Sequence, residues 1–469
     1  MHIYKSYFLV IFQNPSQNAI VIGGAGTSGR LAFLTSVSIQ SLIASDDCSD
    51  DSEDSPQEGA DNLEQLTWGK SRVLYIGLTC GLSAPWVAGQ LDHCLKNLDK
   101  YIPVLMCFNP VTSLENVTSD GRGFILNPVI GPEPIAGSSR LKGGTASKIL
   151  LDTILIRLKI SRILISFSSL DVSETVRSYE HLCKLTYQKS ADIAALGEAC
   201  AKSLRSGGHV YYIGMGSLGI MGMIDAAECP STFCTNPANI RSFIVGGWRS
   251  LKNKEGDLSG QGPLFQISYN DFKDKYLENL TKDDLVIILS KGEQIECDII
   301  YHCLAARLCC SVEVRLHDSQ LQTPNGKVLE KFFVEMQEAV VAKWVCNAAT
   351  TSAHIQLAKV YKNYMISFKV SNMKLFHRAR HLIKDISLCS EVDAKTHLLR
   401  AIYGSDDLEP NQEKAFISDH IHEAKNKDNV VPLAITSALG DCSVMIASKR
   451  LRETTDVHSA VQQCFESCV

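Results

Sequence analysis

Several features are missing from this 469-residue chain, and each absence narrows its function. It has no Cys-x-x-Cys pair, and its 17 cysteines are scattered and odd in number, so no disulfide framework is implied and a reducing, intracellular setting is expected. It has no Gly-x-x-x-x-Gly-Lys-Ser/Thr loop, which leaves intrinsic kinase chemistry without support. No apolar run approaches the ~20 residues of a membrane span. The run Tyr7 to Phe12 is shorter than the ~7–15 residues of a secretory core and carries no small-residue cleavage pattern. Strong charge of either sign is lacking too: the formal net charge of −5 gives no reason to expect a nucleic-acid or acidic-membrane partner. What composition does supply, 45% hydrophobic and 21% charged residues, is ordinary and ample for a core, and the length suggests about three domains.

The informative feature that is present is a glycine-rich turn occurring twice. Gly24-Ala25-Gly26-Thr27-Ser28-Gly29 follows the apolar run Ala19 to Ile22, and Gly214-Met215-Gly216-Ser217-Leu218-Gly219 follows His209 to Ile213. A strand entering such a turn and leaving as a helix presents free backbone N–H groups to an anion. Their first glycines lie 190 residues apart, room for one α/β domain each, which predicts a duplicated phosphate-binding fold.

Further apolar runs, Val73 to Leu78, Tyr101 to Phe108 and Asp284 to Leu289, predict buried parallel strands, and Thr145 to about Leu158 predicts a long helix. Strands alternating with helices predict parallel sheets with crossover helices. From about Lys359 strand signals stop, and short helices are predicted near Lys374 to Ile386, Asp393 to Ile402 and Asp441 to Thr454. The expected class is α/β: a first parallel-sheet domain over 1–168, a second over 169–358 and a helical domain over 359–469.

Gly24-x-Gly26-x-x-Gly29 formally matches a dinucleotide fingerprint, which also wants a second strand ending in an acidic residue about 20 residues on. Here Ser45 to Glu58 is polar and acidic and reads as a loop without β pattern. Thr27, Ser28 and Arg30 also suit a terminal phosphate monoester better than a pyrophosphate. The dinucleotide reading is therefore set aside.

Gly24-x-Gly-Thr-Ser-Gly-Arg-Leu31, the Glu53-Asp54 pair, and Gly131-Pro132-Glu133 leading to Gly137-Ser138-Ser139-Arg140-Leu141-Lys142-Gly143-Gly144 resemble the sugar isomerase (SIS) family. Within it they resemble the N-acetylmuramic acid 6-phosphate etherases and, more nearly, their animal relatives, the glucokinase regulatory proteins. Gly81-Leu82-Ser83-Ala84-Pro85, Lys343-Trp344-Val345 and Ser371-Asn372-x-Lys374-Leu375-Phe376 belong to the same likeness. The resemblance implies two SIS domains under a helical lid, in the cytoplasm and nucleus. It implies binding of fructose 6-phosphate and fructose 1-phosphate at one site, with glucokinase as a partner held inactive, and no cofactor or metal. By motif, the phosphate loop would be Gly26, Thr27 and Ser28; Thr79, Cys80, Gly81 and Ser83 would form a second loop, Ser138 and Ser139 a third, with Lys374 reaching in from the lid and Glu53 and Glu228 holding sugar hydroxyls.

These residues have plainer uses as well. Thr27 and Ser28 could cap the following helix, and Glu53 and Lys374 could be solvated. Glu228 differs, because it lies in the apolar helix end Ile224 to Pro230, where a buried carboxylate needs a partner or a ligand.

Etherase chemistry in that family needs a second glutamate eight residues after the loop arginine, where this chain has Ser38. The second half keeps Glu228 but carries Leu218 and Ile220 where the first has Ser28 and Arg30. Neither half is complete, so binding without turnover is expected, with Glu228 crossing into the first site; an etherase-like lyase or an aldose–ketose isomerase is the alternative. Set against the family pattern, the chain reads as shortened before Asn18, between Leu42 and Glu53 (a strand and glycine turn), between Asn116 and Phe124 (a helix) and near Val314 to Lys331 (a core strand). Such losses imply marginal stability, with thermal unfolding below ~65 °C.

Overall fold

The computed structural model describes residues 14, 16–38, 43–48, 54–82, 84–110, 123–163, 172–251, 253, 255–291, 309–313, 326–454 and 456–466. Two parallel sheets form its α/β part. The first joins β1 (Asn18–Ala25), β2 (Ile43–Cys48), β3 (Arg72–Leu78), β4 (Tyr101–Met106) and β5 (Phe124–Leu126) in the order β2-β1-β3-β4-β5. The second joins β6 (Val210–Gly214), β7 (Ile240–Ile244), β8 (Leu285–Ser290) and β9 (Cys309–Glu313) in the order β7-β6-β8-β9. Each sheet therefore reverses direction after its first strand, the point where open α/β sheets bind ligands at their carboxyl ends. Both glycine turns leave the strand at that point.

The apolar runs form the strands they predicted because parallel strands are covered on both faces. Ile20, Ile22, Leu74, Ile76 and Val104 lie in one core, and Val210, Tyr212, Ile287 and Leu289 in another. Helix Thr27–Ser38 of the first half packs on helix Gly216–Phe233 of the second, and its Leu31 and Leu34 belong to the second half's core. The long helix Gly326–Gln356 lies against both halves, touching Lys142–Ile163, Val172–Tyr187, Ser190–Arg205 and Gly216–Phe233. The two halves thus share buried apolar surface.

One expectation fails. Ser45 to Cys48 is not loop but most of strand β2, with Asp46 opposite Gly23 and Asp47 opposite Gly24 of β1. The sequence shows no β pattern there because an edge strand is held by backbone hydrogen bonds, which do not require apolar side chains. The strand held to be missing between Leu42 and Glu53 is therefore present, and the stretch from Pro56 on opens a helix, Pro56–Leu66, capped by Ser55. The expected losses before Asn18 and between Asn116 and Phe124 fall wholly or mostly outside the described residues, as does 314–325 of the stretch near Val314 to Lys331.

Beyond residue 359 comes a short hairpin, β10 (Val360–Tyr361) with β11 (Tyr364–Met365), a small exception to the all-helical reading. Helices Met373–Ser387, Glu391–Tyr403, Ile417–Ala424, Val430–Leu439, Val444–Thr454 and Val457–Glu466 follow around a core of their own that includes Phe376, Leu398 and Ile435. No single helix among the described residues is long and apolar enough to cross a membrane.

Candidate functional site

A cavity of about 660 Å³ lies where the first glycine turn, the second half and the helical layer converge. The turn is shaped by two glycines. A side chain on Gly24 would come within 2.9 Å of the Gly29 nitrogen, and Gly26 has a φ of +59°, so only glycine fits the first without a backbone shift and favours the second. Thr27 then opens the helix at the cavity, and the Arg30 N–H closes the first turn on the Gly26 carbonyl at 3.1 Å. Gly26, Thr27 and Arg30 all line the cavity.

Glu228 faces them from the second half. It is 2% exposed, and neither carboxylate oxygen has a hydrogen-bond partner. The nearest cation is Arg140, at 3.9 Å. Burial raises the pKa of this carboxyl above its ordinary value, against the pull of Arg140, Lys343, Arg30 and the nearby Thr27 hydroxyl. A buried carboxylate left without a donor is costly unless a ligand completes it. Two further polar atoms of the same cavity wall are buried without partners, Ser138 Oγ and Arg140 Nε.

Behind this wall a buried network joins the halves. Asp225 accepts from Arg140 at 3.0 Å, from Asn347 at 2.6 Å and from the hydroxyls of Thr350 and Tyr212 at 3.1 and 3.0 Å. Arg140 also donates to Thr350 and Thr351, and Lys343 donates to the Arg140 carbonyl and to Asn347. Burial depresses the Lys343 ammonium to about 8. His354 donates from Nδ1 to the Thr350 carbonyl, so its Nε2 accepts from the hydroxyl of Thr235, another cavity residue, at 2.6 Å. Burial pushes this imidazole down to about 3, which keeps it neutral for that role.

Of the residues singled out from sequence, Gly26, Thr27, Ser138, Ser139, Glu228 and Lys374 line the one cavity. Ser28 is buried behind the turn, its Oγ 3.8 Å from Cys80 Sγ. Thr79, Cys80 and Gly81 follow β3 and do not line the cavity, and burial raises the pKa of the Cys80 thiol. Glu53 and Ser83 lie outside the described residues. In the second glycine turn Leu218 and Ile220 are buried in the hydrophobic core. Sequence reasoning assigned no role to Arg140, Lys343 or Arg378. The first two stand inside motifs it had quoted, and Arg378 lies one helical turn beyond Lys374 on the cavity side.

Cations outnumber acids around the cavity: Arg30, Arg140, Lys369, Lys374 and Arg378 against Glu228 and Asp428. The arrangement can hold a dianionic ester at the turn and hydrogen-bond donors at Glu228.

Comparison with known proteins gives the same direction. The chain matches the models for the glucokinase regulatory protein N-terminal SIS domain over 4–51 and 47–95, its second SIS domain over 187–298 and its C-terminal lid domain over 362–461. It is 35% identical to glucokinase regulatory protein of Xenopus laevis across 96% of this chain and 82% of that protein. Its identity to the Homo sapiens protein is 33%, across 97% of this chain and 82% of the relative. An N-acetylmuramic acid 6-phosphate etherase of Prochlorococcus marinus (strain NATL2A) is 32% identical across 45% of this chain and 69% of the enzyme.

Proposed function

Because this chain belongs to the glucokinase regulatory protein family, we propose that it binds fructose phosphates in the cavity described above and, in a state set by that ligand, holds glucokinase inactive. The observation that carries the reading is Glu228: a buried carboxylate without a hydrogen-bond partner, from one half, that faces the phosphate-type turn of the other. The phosphoryl group sits on the N–H groups after Gly26 with the Thr27 hydroxyl, and the sugar hydroxyls donate to Glu228. Lys374 closes the site from the helical layer. Fructose 6-phosphate favours the complex and fructose 1-phosphate opposes it. The protein works in the cytoplasm and nucleus.

The reading is of a binding protein. Etherase-type chemistry wants two carboxylates on opposite duties, and the first half offers Ser38 where the second glutamate would stand. The test is a glucokinase rate assay with purified protein. Inhibition strengthened by fructose 6-phosphate and relieved by fructose 1-phosphate is expected. Glucokinase turning over at its free rate at every protein concentration would overturn the regulatory reading.

A further inference from the structure

Two segments of the first half are tied to the helical layer beside the cavity. One is Ala136, whose N–H donates to the Asn363 carbonyl at 2.7 Å and whose carbonyl accepts from Met365 at 3.2 Å. The other is Asp54. Its Oδ2 accepts from the backbone N–H of Met373 at 2.9 Å, across 319 residues of sequence.

Met373 is the first residue of the helix Met373–Ser387. The N-cap, Asn372, satisfies the Leu375 N–H at 2.9 Å. A helix start leaves several N–H groups and a partial positive charge unmet, so a carboxylate from elsewhere is attracted there. Asp54 supplies it from a firm base. Ser55 beside it caps the helix Pro56–Leu66, which packs so closely on Pro85–Lys96 that a side chain on Gly89 would strike the Pro56 carbonyl. The same helix start carries Lys374 and, one turn on, Arg378, both lining the cavity. Where Met373 is pinned, the height and rotation of both cations are set.

We propose that Asp54 is a positioning residue that pins the start of helix Met373–Ser387 and so holds Lys374 and Arg378 over the cavity, an inference that rests on the sugar-phosphate reading of that cavity. Asp54 itself contributes no charge to the ligand; it acts through the helix.

The test uses the full chain with Asp54→Ala, Asp54→Asn, Lys374→Ala and the Asp54→Ala/Lys374→Ala pair. Hydrogen exchange of the 373–375 amides without ligand reads the pin directly. Faster exchange is expected in Asp54→Ala, with partial protection restored in Asp54→Asn, whose amide oxygen still accepts. Unchanged exchange would overturn the pin whatever the ligand. Titration with fructose 1-phosphate reads the consequence: Asp54→Ala is expected to bind about fivefold more weakly. The paired variant is expected to bind within about twofold of Lys374→Ala alone, because residues acting through one another are not additive. Lost protection with full affinity, or losses that multiply in the pair, would overturn the positioning role. Wild-type protein with protected amides and no affinity for fructose 1-phosphate would overturn the binding reading and, with it, the role assigned here.

Discussion

Arg140 and Asp225 meet at 3.0 Å, each nearly inaccessible to solvent, and this contact joins the two halves of the α/β region. Asp225 accepts from four donors at once, so its removal takes this acceptor from Arg140, Asn347 and Tyr212, while the Thr350 hydroxyl keeps the Cys346 carbonyl at 3.0 Å. Asp225→Ala is expected to cost about 3–5 kcal/mol in urea unfolding, the range for breaking a buried pair from one side. A loss below about 1 kcal/mol, the size of an ordinary substitution, would contradict the role given to this network.

Glu228 has the opposite energetics. Burial raises its folded-state pKa above the ordinary value of 4.5, so the folded chain holds that proton more tightly than the unfolded chain. Its contribution to stability is complete below about pH 4.5 and is lost as pH rises through the folded value. Without ligand, Glu228→Gln is therefore expected to unfold at the same temperature as wild type near pH 4 and at a higher one near pH 7. Thermal scans at both values check this, and a variant less stable at pH 7 would show that the carboxylate is already satisfied.

The two turn glycines are expected to separate. In Gly24→Ala the new methyl meets backbone at 2.9 Å, so the turn shifts and fructose 1-phosphate affinity falls steeply. In Gly26→Ala the methyl meets nothing within 4 Å, and the left-handed backbone costs about 1–2 kcal/mol of stability with a smaller effect on affinity. Parallel titration and thermal melts of the two variants distinguish these outcomes.

Ser38 in the place of a second carboxylate leads to an expectation about turnover. Fructose 6-phosphate and N-acetylmuramic acid 6-phosphate should both be recovered unchanged after prolonged incubation. Cleavage or isomerisation at a rate abolished by Glu228→Gln would return the chain to the enzymes of its wider family.

Much of this was legible in the sequence, and the physical reasons differ by element. Strands β1, β3, β4, β6 and β8 announce themselves because parallel strands buried on both faces need continuous apolar side chains. Strand β2 does not, since the polar residues Ser45, Asp46 and Asp47 carry no apolar signal and a ladder needs only backbone hydrogen bonds. With that strand in place, the missing second strand no longer argues against a dinucleotide. Glu228 could be singled out because a carboxylate at an apolar helix end is anomalous wherever it points. The roles of Asp54, which stands in the Glu53-Asp54 pair, and of the His354–Thr235 contact could not be read there, because each comes from a partner far away in the chain.

The most direct measurement is calorimetric titration of wild type and Glu228→Gln with fructose 1-phosphate and fructose 6-phosphate. Saturable binding at one site per chain is expected, weakened at least tenfold in the variant by loss of a charged acceptor for the sugar hydroxyls. Binding of equal strength in both proteins would place the ligand elsewhere. No binding by folded wild type would contradict the sugar-phosphate reading itself.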